Sequence, residues 1–183
     1  LKKINPKDAL KHPKWKMGKK ISIDSATLMN KIFEVVEAQK LFSLPESKID
    51  VLIHPNSLVH AIIHLNNGLI KFLYHETSMV IPLANAIFDG RLDIENFFKK
   101  KINENQKIAE KLIFNQVDKK KFPFMKLKKI MNQYPSASII INAANEVLVS
   151  EFLKKKIPYM DIYKQIFSIM NDRNFKKYAI KKP

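Results

Sequence analysis

Apolar residues recur at helical spacing from Ala26 to Phe42, where Leu28, Met29, Ile32, Val35, Val36 and Phe42 form one stripe. The pattern predicts a helix over 26–42, closed by Leu44-Pro45-Glu46-Ser47. A short apolar run from Ile49 to His54 predicts a buried strand. Val59–Leu65 and Leu69–Tyr74 flank Asn66-Asn67-Gly68, whose tolerance of positive φ predicts a hairpin. Ser78–Phe88 reads as a helix with Pro82 in or near its first turn, and Asp93–Lys101 as a short helix. Helical spacing returns over Phe122–Tyr134, Ser136–Lys155 and Tyr159–Met170, punctuated by Pro135 and Pro158. Met125, Met131, Met160 and Met170 fall on the inner faces of these segments. Residues 1–20, broken by Pro6, Pro13 and Gly18, read as a basic loop.

These elements describe an α/β (α+β) domain over residues 1–88, a Lys-rich linker over 89–121, and an all-α helical bundle over 122–183. With 183 residues and 46% hydrophobic content, a substantial core is attainable. The chain has no Cys, which excludes disulfides and thiolate metal sites. Its apolar runs are too short to span a bilayer as a helix. Starting at Leu1 rather than Met, it is expected to lack its natural N-terminus.

The formal net charge of +16 raises nucleic acid as a partner. Against this, only Arg91 and Arg173 of the 33 basic residues are Arg, the side chain with the bidentate fork that base readers use. The Lys, Asn and Ile bias is what AT-rich coding sequence produces. A Lys-coated protein that draws small anions is the favoured reading, with a basic nucleic-acid-binding domain or a helical dimerisation module as alternatives.

The chemistry concentrates in Ser25-Ala26-Thr27-Leu28-Met29-Asn30-Lys31-Ile32-Phe33-Glu34. At about 100° per residue, Asn30 and Glu34 lie within about 40° of each other on a helix, with Lys31 beside them. Ser25 is expected at the helix start, where unpaired N–H groups and the dipole favour an anion. One end of the cluster suits a phosphate and the other, through Glu34, a divalent cation.

The run from His12 through Trp15, Met17 and Gly18 to Ser22-Ile23-Asp24-Ser25, with Asn30, Lys31 and Glu34, resembles the 1-deoxy-D-xylulose 5-phosphate reductoisomerase family. Ile53-His54-Pro55-Asn56-Ser57-Leu58-Val59-His60, Ser78-Met79 with Ile81-Pro82, and Phe122-Pro123 leading to Asn142-Ala143-Ala144-Asn145-Glu146 match in order. The resemblance implies the C-terminal half of an enzyme of non-mevalonate isoprenoid synthesis, without its N-terminal NADPH domain and inactive by itself. The family rearranges 1-deoxy-D-xylulose 5-phosphate and reduces it to 2-C-methyl-D-erythritol 4-phosphate, using NADPH with Mg²⁺ or Mn²⁺.

The resemblance further implies that His12, Ser25, Asn30, Lys31, Glu34 and His60 contact a phosphorylated sugar substrate, with His12 and Lys31 catalytic and Glu34 a metal ligand. Residues of about 10–20 would form a mobile lid in which Trp15 closes over the site. Met17, Gly18 and Met79 would lie near the nicotinamide cofactor. A homodimer in the bacterial cytoplasm is implied, or a plastid in a eukaryote, with neither nucleic acid nor membrane as partner. Three departures stand out. Ile32 replaces a usual Gly, which would put a side chain beside the site. Thr77-Ser78-Met79-Val80 replaces a Pro-Asp-Met-Arg type run, and Asn85–Asp89 replaces a His-containing helix end. Asp24 is expected to support the helix start, and the 142–146 run to serve packing and polar contacts.

Overall fold

In the computed structural model, residues 4–11, 17–75, 77–91, 93, 112–131 and 133–182 are described. The helix expected over 26–42 is two helices meeting at Leu28. The first, α2 (Lys19–Thr27), begins inside the stretch read as loop, which also holds a single turn, α1 (Pro6–Ala9). The second is α3 (Met29–Phe42). Local side-chain bonding explains the break. The Thr27 hydroxyl donates to the Asp24 carbonyl at 3.2 Å and accepts the Met29 N–H at 3.3 Å. This gives the backbone an alternative to the helical ladder. Leu28 takes up the change of direction at φ 60°, ψ 15°.

α3 buries Met29, Ile32, Val35, Val36 and Gln39. Their spacing is that of a core-facing stripe. The stripe packs on a 3₁₀ segment, Pro123–Lys129, standing where an α-helix over 122–134 was expected. With about three residues per turn, that geometry brings Phe124 and Leu127 onto one side, and both are fully buried. Three more helices follow, α5 (Ala137–Leu153), α6 (Tyr159–Asn171) and α7 (Arg173–Ala179). The sequence pattern did not predict α7. Asp172 caps it by accepting the Asn174 N–H at 2.7 Å.

The remaining elements are β1 (Leu52–Ile53), β2 (Val59–His64), β3 (Ile70–Tyr74), α4 (Val80–Ile87) and β4 (Asn115–Gln116). β2 and β3 form the predicted antiparallel hairpin, with Ile62 opposite Phe72, an irregularity between Val59 and Ala61, and Gly68 at φ 87° in the turn. The strand expected over 49–54 shrinks to β1, paired antiparallel with β4, and Leu52 is exposed rather than buried. Residues 115–116, expected in a linker, are therefore a paired strand; most of the 89–121 stretch, including all but the first residue of the helix expected over 93–101, lies outside the described residues.

Among the described residues the fold is thus mixed, largely helical with two small antiparallel sheets. Packing divides it into two units, Leu1–Val51 with Val117–Pro183, and Leu52–Gln116. The domain boundaries expected from the sequence put α2 and α3 in one domain and the C-terminal helices in another. Instead Ile23, Met29 and Ile32 are buried in the same core as Phe124, Leu127, Ile141, Phe152, Ile162 and Ile166. Met125 and Met131 are buried there too, with Met160 and Met170 packed against it. Neither helical group can cover its apolar stripe alone.

Candidate functional site

The break at Leu28 moves the helix start. Ser25 lies in the last turn of α2, half-buried, its carbonyl accepting the Leu28 N–H at 3.2 Å. The expectation that Ser25 begins the helix is corrected accordingly. The N-terminus facing that region belongs to α3, whose first turn carries Asn30 and Lys31 and offers backbone N–H groups that lack intrahelical acceptors.

Asn30, Lys31 and Glu34 come together as the spacing predicted. Lys31 Nζ donates to Glu34 Oε2 at 2.7 Å and Oε1 at 2.9 Å, and Asn30 Nδ2 donates to Oε1 at 2.6 Å. The Lys31 and Glu34 side chains are 46% and 45% exposed, so water screens the pair, which contributes about 0–1 kcal/mol to stability. Ordered yet energetically cheap, this cluster can exchange its internal partners for a ligand. Lys31 and Asn30 supply donors for an anion, while Glu34 supplies a hard oxygen of the kind Mg²⁺ or Mn²⁺ takes. Glu34 fits one position of such an oxygen shell. Among the described residues no group of three or more His, Asp or Glu completes it.

Ile32 does not crowd the cluster. It is 0% exposed and belongs to the core, so the departure from the family pattern changes packing rather than the site.

Residues outside this cluster hold α2, and of these sequence reasoning missed Tyr159 and the pairing of Asp24 with Asn145. Asp24 is 3% exposed and does not sit at a helix start. Its Oδ2 accepts from Lys20 Nζ at 2.7 Å, and its Oδ1 from Asn145 Nδ2 of α5, also at 2.7 Å. Asn145 is completely buried, in agreement with the packing and polar role expected of its run. Tyr159 of α6 donates its hydroxyl to the Ala26 carbonyl at 2.9 Å and lies 3.5 Å from the Tyr163 hydroxyl. Burial pushes both phenols above their ordinary range, since the anion would lose its hydration. The only signal in the sequence was Asn145 itself, a polar residue on an apolar helix face.

Of the lid, His12 and Trp15 lie outside the described residues. Met17 is half-buried and Gly18 exposed. The Gly18 carbonyl starts α2, accepting both the N–H and the hydroxyl of Ser22 at 3.1 and 3.0 Å.

In the unit formed by 52–116, His60 stacks on His75 with ring centroids 3.7 Å apart and planes 3° from parallel. His60 Nε2 is 3.3 Å from the His75 carbonyl. A carbonyl only accepts, so that bond requires the proton on Nε2. His54 is held similarly, Nδ1 donating to the Ile113 carbonyl at 2.8 Å with its ring stacked on Phe114. Met79 is 56% exposed just before α4.

Comparison with known proteins gives a consistent pattern. A family model described as 1-deoxy-D-xylulose 5-phosphate reductoisomerase C-terminal domain matches residues 1–42, and one described as DXP reductoisomerase C-terminal domain matches residues 76–182. The chain is 44% identical to the 1-deoxy-D-xylulose 5-phosphate reductoisomerase of Pelagibacter ubique, over 98% of this chain and 46% of that protein. It is 41% identical to the Campylobacter jejuni (strain RM1221) protein of the same name, over 93% and 46% respectively. Among solved structures, DOX-P reductoisomerase in complex with NADPH, fosmidomycin and magnesium superposes with a TM-score of 0.83 at 33% identity, covering 98% of this chain and 43% of that one. The Zymomonas mobilis 1-deoxy-D-xylulose 5-phosphate reductoisomerase in complex with NADPH gives 0.78 at 28% identity, covering 100% and 45%. The chain thus spans about half the length of the curated relatives it matches.

Proposed function

This chain belongs to the DXP reductoisomerase C-terminal domain family, and on that footing we propose that it works as the C-terminal part of an NADPH-dependent enzyme rearranging and reducing 1-deoxy-D-xylulose 5-phosphate to 2-C-methyl-D-erythritol 4-phosphate. The observation that carries the reading is the mutual contact of Asn30, Lys31 and Glu34 in the first turns of α3. Ser25, Asn30 and Lys31 hold the phosphorylated substrate, their donors replacing water around its anionic oxygens. Binding energy from the phosphate, remote from the reacting carbons, then fixes the sugar for reaction. Lys31 is the catalytic cation at this end.

Glu34 is one carboxylate toward Mg²⁺ or Mn²⁺, which when bound supplies Lewis-acid polarisation of a substrate carbonyl. The remaining ligands, and the nucleotide-binding domain, belong to the rest of the enzyme. Were Glu34 to hold the metal, its carboxylate would no longer be the acceptor for Lys31, whose ammonium would then be available to the substrate. His12 and His60 complete the substrate contacts, and Trp15 closes the lid and excludes water. Met17, Gly18 and Met79 face the nicotinamide. The enzyme acts as a homodimer in the cytoplasm, as the family resemblance implies.

The test is NADPH oxidation by the complete enzyme, dependent on substrate and metal. Lys31→Ala is expected to lower kcat/KM by about 10²–10³, as loss of a preorganised donor does, and Glu34→Gln to raise the metal concentration needed for half-maximal rate. Unchanged turnover in Lys31→Ala would sink the reading.

A further inference from the structure

Ser25 is flanked by two residues that the C-terminal helices grip. On one side, the Asp24 carboxylate accepts from Asn145 Nδ2 of α5 at 2.7 Å, across 121 residues of sequence. On the other, the Ala26 carbonyl accepts from the Tyr159 hydroxyl of α6 at 2.9 Å, across 133 residues. The chain reverses into left-handed geometry two residues later, at Leu28. The last turn of α2 is thus held from two directions before α3 begins.

Core formation does not call for these polar links. A buried carboxylate with its donors is often no more stabilising than apolar residues of the same volume. Asn145 adds a cost of its own, because its Oδ1 is buried and accepts no hydrogen bond among the described residues. What the links do supply is direction. An apolar contact lets a helix end slide or rotate, whereas one hydrogen bond to the Asp24 carboxylate and one to the Ala26 backbone carbonyl, on either side of Ser25, fix the backbone from which its side chain projects. The buried Asp24 also holds Lys20 at 2.7 Å, tying the first turn of α2 to the same anchor.

We infer that Asn145 and Tyr159 are positioning residues, a clamp by which the C-terminal helices set the direction of the Ser25 hydroxyl toward the substrate's phosphate. The inference rests on the reading of Ser25 as a substrate ligand. It adds that the clamp residues touch neither substrate nor metal, and act through Asp24 and Ala26 alone.

A double-mutant cycle in the complete enzyme tests it, with two readouts: steady-state kinetics for the phosphorylated sugar and for NADPH, and calorimetric titration with inorganic phosphate. Tyr159→Phe and Asn145→Ala are each expected to lower kcat/KM for the sugar on the order of ten-fold, mainly through KM. Phosphate binding weakens in parallel, while KM for NADPH stays unchanged. In a Ser25→Ala background the same substitutions should have little further effect, because the hydroxyl they aim is already gone. Tyr159→Phe removes a single oxygen and carries the test where Asn145→Ala, which strips a buried carboxylate of a donor, fails to fold. If Ser25→Ala changes neither readout, the substrate reading of Ser25 falls and the clamp with it. If Ser25→Ala is impaired but Tyr159→Phe is neutral, or its loss simply adds to that of Ser25→Ala, the clamp alone is overturned.

Discussion

At the scale of single residues, Lys31 separates activity from stability. Its ion pair with Glu34 is half exposed, so Lys31→Ala should shift unfolding free energy by less than about 1 kcal/mol while abolishing most turnover. Chemical denaturation of the variant beside its kinetics checks both halves; a large stability loss would recast the pair as structural. Tyr163 works the other way. Burial holds its phenol protonated far above the ordinary value of 10.0, and raises Tyr159 as well. Below pH 10 both folded and unfolded chains keep these protons. Above it the unfolded chain releases them and the folded chain does not, so the unfolded state binds fewer protons and stability falls as pH rises. Denaturant midpoints measured from pH 8 to 11 should therefore decline on the alkaline side, and Tyr163→Phe should flatten that decline.

At the scale of elements, helix ends decide most of what happens. α3 stops at Ser43, an exposed residue at φ 52°, a geometry that costs a non-glycine residue about 1 kcal/mol or more. Ser43→Gly is expected to raise stability by roughly 1 kcal/mol, read as a higher thermal midpoint. The ends also mark the limit of what sequence patterns disclose. The β2–β3 hairpin, α5 and α6 were legible because Asn66-Asn67-Gly68, Pro135 and Pro158 punctuate them chemically. The break at Leu28 carries no Gly, Pro or Asn; it depends on a Thr27 hydroxyl that bonds backward and forward at once. The contact of Asn30 and Lys31 with Glu34 was readable because helical periodicity alone brings them together. Asp24 with Asn145 was not, because no local rule relates residues 121 positions apart.

At the scale of the whole molecule, one core serves both the helices that carry the site and the helices that end the chain. Phe152 is 1% exposed within it, in edge contact with Tyr159 at 5.6 Å between ring centroids. Phe152→Ala should cost about 3–5 kcal/mol and loosen α2 along with α5, visible as faster amide exchange at Ile23 and Ala26. Exchange confined to α5 would show the two groups to be energetically separate. The order of synthesis gives this shared core a further consequence. A ribosome that has delivered everything through Gln116 has made α3 but none of the residues from 117 onward that share its core. Until Phe124 and Leu127 emerge, the nascent chain lacks the segment on which the apolar side of α3 packs, which leaves a natural handle for a holding chaperone.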